Sequence, residues 1–461
     1  MAATSHALRC RSATTPAREI PRSLAAIGIH DMAAAGLAAL LVLSVGLTDG
    51  GYYGRSATPL TVAFVAIVGL AGLTRGVSHL SRAGLATLGL LAAFAAWTAL
   101  SFIWAVPGAL VEQDARRAVL YVCALGAVLS VADERGRAAL LRGLLGGIAV
   151  IAVTAIGIQA GSGDVVDPFF GSLVEEPVGY PNALGALMAI GVVLTTGLDL
   201  RKAASRRATR GLAAVLVLVL GLSGSRGAAV ALAVGLCTLV CLRPAGDRAL
   251  GALRAVVPVL IGGLGWTIVA STGAAGGRLA VDAIAIFAVA AILPSLDRVW
   301  PRRMLVALAC GALVVGIALA ATRPISTTSS YRTAYWAVAL EGARAHPVLG
   351  TGAGSFHLTW VEHGPNGLFV RDAHSLYVEA LSELGPVGLL LAVSIATVPL
   401  IAAARWRGDP ISALSGAAFA VFVVHAGLDW DWEMPVVTLT ALGCAGVALG
   451  RPSNATEEAT A

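Results

Sequence analysis

His374 stands where a polar stretch, Arg323 to Ala373, runs into an apolar one. An imidazole has an ordinary pKa of about 6.5, so at neutral pH it can accept a proton, as a general base must. The stretch before it also holds Arg332, His346, His357, His363, Arg371 and Asp372. Such groups cost free energy in hydrocarbon, so they belong in water, headgroups or a hydrated cavity. Two arginines suit an anion. Arg226 sits in the tight corner Ser223-Gly224-Ser225-Arg226-Gly227, where glycines permit the turn and the Ser225 hydroxyl can bond freed backbone groups. Arg332 lies in Tyr331-Arg332-Thr333-Ala334-Tyr335-Trp336. A guanidinium is a fixed fork of donors matched to phosphate oxygens, and two of them converging would suit a diphosphate. Plainer alternatives stand beside these: Arg226 snorkelling from a helix end, Trp336 capping a small core or lying in the interface, His374 bonding backbone. Glu383 lies nine residues after His374, near the same helix face, and must pair with an Arg or cap backbone.

The elements that position these residues are read from composition. The chain has 461 residues, of which 57% are hydrophobic and 13% charged, with 54 glycines and a mean hydropathy of +0.83. A soluble domain of this length needs far more charge, so the chain reads as an all-α, polytopic integral membrane protein. Abundant Gly fits close helix packing in lipid. The net charge of +6 is modest, and no basic face interleaved with aromatics suggests nucleic acid. Most cysteines lie within apolar runs, without metal spacing.

Apolar stretches recur at 31–48, 57–74, 83–103, 118–132, 138–159, 181–198, 210–222, 227–242, 251–271, 279–296, 303–321, 375–403, 410–426 and 434–450. At ~20 residues per span they predict about 12–14 transmembrane helices and one large extracytoplasmic loop, 322–374. Connections on the cytoplasmic side carry the excess of Lys and Arg. With the N-terminal tail inside, the outer connections hold only Arg55, Arg116, Arg117, Arg226, Arg278, Arg323, Arg332, Arg344 and Arg371 of the 32 basic residues. This predicts a cell-membrane location with both termini cytoplasmic. Residues 1–29 are expected to be a disordered cytoplasmic tail, 30–178 an N-terminal set of spans, 179–450 the region that carries the chemistry, and 451–461 a cytoplasmic C-terminal tail.

The stretch Gly350-Thr351-Gly352-Ala353-Gly354-Ser355-Phe356 lacks the Lys-Ser/Thr ending of a phosphate loop and reads as a backbone turn folding the loop onto the membrane. Trp430 and Trp432 read as interfacial anchors. No metal is expected, because the histidines have no ligand spacing.

Several motifs carry a resemblance. They are Ser225-Arg226-Gly227, Gly179-Tyr180-Pro181-Asn182-Ala183, Arg332 with Trp336, His346-Pro347-Val348-Leu349-Gly350-Thr351-Gly352, Ala373-His374-Ser375-Leu376-Tyr377 and Glu383-Leu384-Gly385-Pro386-Val387-Gly388. In that order they resemble the O-antigen ligase and polymerase superfamily, over roughly residues 179 to 435. The resemblance implies a membrane enzyme that moves a glycan from an undecaprenyl diphosphate carrier to an acceptor hydroxyl on the outer face, without metal, nucleotide or other cofactor. Its implied partners are that lipid-linked glycan and membrane lipid. Arg226 and Arg332 would hold the diphosphate and His374 would activate the acceptor, with Ser225, Arg371 and Glu383 in support. A polymerase of the same superfamily is an alternative. So is a flippase for the same lipid, although no internal repeat is visible and the polar groups gather on one face.

Overall fold

The computed structural model describes residues 28–54, 57–75, 80–165, 173–198, 203–243, 248–273, 275–293, 327–365, 367 and 369–450. The two expected tails and the expected span 303–321 lie outside them, apart from Gly28 and Ile29 where the N-terminal tail joins the fold. Among the described residues the secondary structure is helical throughout: α1 (Ile29–Gly46), α2 (Ala57–Arg75), α3 (Arg82–Leu100), α4 (Val111–Val131), α5 (Gly136–Ser162), α6 (Pro181–Gly197), α7 (Ala203–Leu222), α8 (Arg226–Leu242), α9 (Arg248–Thr272), α10 (Gly277–Ile292), α11 (Thr327–Ala345), α12 (Phe356–His363), α13 (Leu376–Arg405), α14 (Pro410–His425) and α15 (Pro435–Leu449), with two short 3-10 turns. The expected all-α membrane fold is thus observed. Ile29–Gly46, Arg82–Ile103, Gly136–Ser162 and Leu376–Arg405 are each long and apolar enough to cross a membrane, and shorter apolar helices accompany them.

Punctuation in the sequence explains where helices begin. Pro181, Pro410 and Pro435 each open a helix, where a missing N–H costs nothing. Ser81, Ser225 and Asp409 cap α3, α8 and α14 by accepting backbone N–H groups of the first turn. α15 is apolar all round and buried along its whole length, so it forms the centre, with α1, α4, α6 and α14 packed on it. α1 lies along α5 through Gly143 and Gly147, where a Cβ would meet the Ala35 backbone and the Val42 side chain.

The polar loop is itself folded. α11 and α12 build a small second core from Tyr335, Val338, Ala339, Phe356, Trp360, Val370 and Ala373, with Trp336 packed against it. That core stands directly before His374, so the chain enters α13 from a rigid platform.

Candidate functional site

His374 is held from four directions. Its backbone is left-handed (φ 56), a conformation uncommon for a residue with a side chain. The neighbouring backbone fixes it there: Ala373 N–H donates to the Glu379 carboxylate (2.6 Å), and Leu376 N–H donates to the Ala426 carbonyl (2.8 Å). The ring lies between two aromatics, Tyr335 at 4.8 Å and Trp430 at 5.4 Å, with 20° between the His374 and Trp430 planes. Nδ1 faces the Asp372 carbonyl at 2.9 Å. A carbonyl only accepts, so Nδ1 carries the proton and Nε2 keeps its lone pair. Burial pushes the imidazole below its ordinary pKa, Asp429 pulls it up, and Arg332 pushes it down again.

Trp430 and Asp429 belong to a short loop between α14 and α15 that touches nearly every polar group nearby. Asp429 accepts from Arg332 Nη2 (2.6 Å), the Tyr180 hydroxyl (2.8 Å), Asn182 Nδ2 (2.7 Å) and the Trp430 N–H (3.0 Å). Its side chain is 2% exposed and that of Arg332 27%, so the ion pair joins a buried carboxylate to a partly exposed arginine. Trp430 also packs edge-on against Tyr52 and Tyr180. Asp431 holds Nδ1 of the fully buried His425 at 2.6 Å, and the ring of His425 lies against Gly227 in the Ser-Arg-Gly corner. Through this contact the corner that carries Arg226 abuts the loop that holds Arg332.

A helix break seats the polar loop. In α13, Gly385 is left-handed (φ 67) and Pro386 has no N–H, so carbonyls that would bond within the helix are released. The loop takes them up: Thr351 N–H donates to Ser382 O (3.1 Å), Gly352 N–H to Glu383 O (2.8 Å), and Trp97 Nε1 to Leu384 O (2.9 Å). The Glu383 carboxylate completes the junction by accepting Gly354 N–H and Phe356 N–H, both at 2.7 Å. Two motifs that look separate in sequence, His346 to Gly352 and Glu383 to Gly388, are therefore two sides of one joint.

Beneath the joint, Arg117 is buried against Asp114 (2.9 Å) and Glu433 (3.6 Å). Asp372 accepts the Tyr52 hydroxyl at 3.4 Å. Burial raises its carboxyl to about 6 against the pull of Arg117 and Arg371. Arg371 lies over the Tyr52 ring, 5.0 Å from its centroid.

The residues singled out from sequence thus fall into three groups. His374 and Arg332 meet through Asp429 and Trp430. Ser225 and Arg226 stand at the start of α8, where Ser225 is the cap, Arg226 is exposed, and Gly227 is the contact to His425. Glu383 caps backbone, and Arg371 covers Tyr52. The other loop histidines stand aside: His346 is exposed, His363 faces the Thr359 carbonyl, and His357 lies near Phe369. The tryptophan reading needs correction. Trp430 is the stacking partner of His374, and Trp432 is 7% exposed, packed on Phe94 and Tyr121. Sequence reading also missed Asp429, Tyr180, Tyr335 and Arg117. The available signal was the alternation Asp429-Trp430-Asp431-Trp432-Glu433 between two apolar helices, since acids beside a membrane need partners.

Residues 263–393 match the family model for O-antigen ligase. That segment contains Arg332, Arg371, His374 and Glu383, whereas Arg226 and Asp429 lie outside it. No curated protein matches the chain. The match supports placing the chain in the superfamily that its motifs resemble.

Proposed function

We propose that this chain, whose residues 263–393 match the O-antigen ligase family model, transfers a glycan from an undecaprenyl diphosphate carrier to an acceptor hydroxyl at the outer face of the cell membrane. The observation that carries this reading is His374: a hydrogen bond fixes Nδ1 as the donor, two rings fix its plane, and Nε2 is left as a base.

In the reaction, Nε2 takes the acceptor's hydroxyl proton while the oxygen attacks the anomeric carbon. The bond from that carbon to the diphosphate oxygen breaks, and the electron pair leaves with undecaprenyl diphosphate. Attack opposite the leaving group inverts the anomeric centre. Negative charge grows on the diphosphate, and Arg226 and Arg332 are the cations assigned to it. Such preorganised electrostatic help is usually the largest single contribution to catalysis. Asp429 keeps Arg332 aimed, and its own charge tempers that of the guanidinium, which favours release of a product more negatively charged than the substrate. As the resemblance implies, no metal or nucleotide takes part. The arginine distribution in the sequence supports an outward-facing site and cytoplasmic termini.

The reading is tested with the full chain in lipid vesicles, supplied with an undecaprenyl diphosphate-linked oligosaccharide and a soluble hydroxyl acceptor. Glycosylated acceptor and free undecaprenyl diphosphate should appear in equal amounts. Release without transfer, or neither product, overturns it.

A further inference from the structure

Arg371 differs from the other cations near His374. Arg332 is neutralised by Asp429 and Arg117 by Asp114 and Glu433. Arg371 is half-buried and lies on the face of Tyr52; Asp372 and Asp114 feel its charge, but among the described residues no carboxylate stands at ion-pair distance. The adjacent carboxylate, Asp372, takes the Tyr52 hydroxyl. A guanidinium held on an aromatic face is pre-aimed and partly stripped of water, yet keeps its hydrogen-bond donors for another partner.

Beside it, Tyr53 is 68% exposed and stands edge-on to Tyr52 at 5.3 Å. From there the rings continue inward, Tyr52 to Trp430 at 5.0 Å and Trp430 to His374 at 5.4 Å. A rigid amphipathic ring left open to water is a contact surface at low entropic cost. The apolar face of a sugar suits such a ring, and the row leads from it to the proposed base. A binding site of this kind joins an apolar wall to a few convergent polar groups, and the polar group here is a cation.

We infer that Tyr53, Tyr52 and Arg371 form a subsite for an acidic sugar, whose ring stacks on Tyr53 while its oxyanion, a carboxylate or a phosphate ester, takes the Arg371 fork. The inference rests on the glycan-transfer reading and adds a charge preference to it. The oxyanion accepts two parallel N–H bonds from a guanidinium that makes no ion pair with a described carboxylate, and a neutral sugar leaves those donors unused.

The test is binding to the purified full chain in detergent, read without turnover, so that failure of transfer chemistry and failure of this subsite are told apart. The probes are a glucuronate-containing disaccharide, its methyl ester, the matching sugar phosphate and inorganic phosphate. The acid should bind at least about tenfold more tightly than the ester, as expected for charge-assisted hydrogen bonds. Arg371→Gln should erase that difference and leave the ester unchanged, Arg371→Lys should restore part of it, and Tyr53→Ala should weaken acid and ester alike. Tighter binding of the sugar phosphate than of the glucuronate supports the subsite and assigns the oxyanion to a phosphate ester. Equal binding of acid and ester overturns it, as does a preference that survives Arg371→Gln. Inorganic phosphate that competes as well as the sugar acids also overturns it, because the ring would then contribute nothing.

Discussion

Trp430 lies face to face with His374, 5.4 Å between centroids and 20° between planes, although 56 positions separate them in the chain. With Tyr335 on the other flank, the imidazole is left freedom in its own plane but little out of it. The Nδ1 bond to the Asp372 carbonyl removes the in-plane freedom as well. Pre-orientation of this kind is what a base needs to meet a hydroxyl in line.

Trp430→Ala should therefore lower kcat more than it raises KM, because the base loses its plane while both arginines remain. An aromatic pair contributes about 0.5–1.5 kcal/mol beyond burial, so the loss should be up to about tenfold, with Trp430→Phe recovering most of it. Steady-state kinetics of both variants check this, and a change confined to KM counts against it.

The pH profile has a defined sign. Only neutral imidazole accepts a proton, and burial with Arg332 nearby lowers the His374 pKa below its ordinary value. The acid limb of kcat/KM should therefore have its midpoint below 6.5, and activity should persist into mildly acidic buffer. Arg332→Gln removes a charge that pushes the pKa down, so the midpoint should move upward. A downward movement contradicts the assignment.

Asp429→Asn leaves Arg332 without its counter-charge and weakens the acceptor shared by Tyr180 and Asn182. A hydrogen bond to a charged group contributes about 2 kcal/mol, and the variant should lose about that much stability in thermal unfolding. In a double-mutant cycle with Arg332→Gln, the two losses should fall short of additive, since they remove one interaction.

At the joint below the polar loop, Gly350 has φ +72, and a Cβ there would collide with the Glu383 backbone. Gly350→Ala must shift the loop and should destabilise by roughly 1–3 kcal/mol. Glu383→Gln keeps one good acceptor for the two N–H groups of Gly354 and Phe356 and should cost about 1–2 kcal/mol. In both variants hydrogen exchange should rise across 350–356 before it rises in α15, and protection unchanged in that segment counts against the joint.

The helices are legible because hydrophobic length survives any tertiary arrangement. The expected span 181–198 is α6 at Pro181–Gly197, and 375–403 is α13 at Leu376–Arg405. Arg332 and His374 stand out for a related reason, since polar residues in so apolar a chain need an explanation. Their connection is not legible. Asp429 reaches Tyr180 and Asn182 from far along the chain, and no local pattern fixes such a pairing. Trp430 illustrates the ambiguity: a tryptophan between two apolar helices has the same local sequence whether it faces headgroups or an imidazole. The break at Gly385-Pro386 is visible as composition, but its role as a socket appears only when the released carbonyls find Thr351 and Gly352.

His374→Ala bears most directly on the central claim. Single-turnover transfer from an undecaprenyl diphosphate-linked oligosaccharide should slow by about a hundredfold or more, the usual contribution of a general base, while the affinity for undecaprenyl diphosphate stays within about threefold of wild type. Transfer at the wild-type rate by His374→Ala protein that is folded and inserted in the membrane would contradict the account.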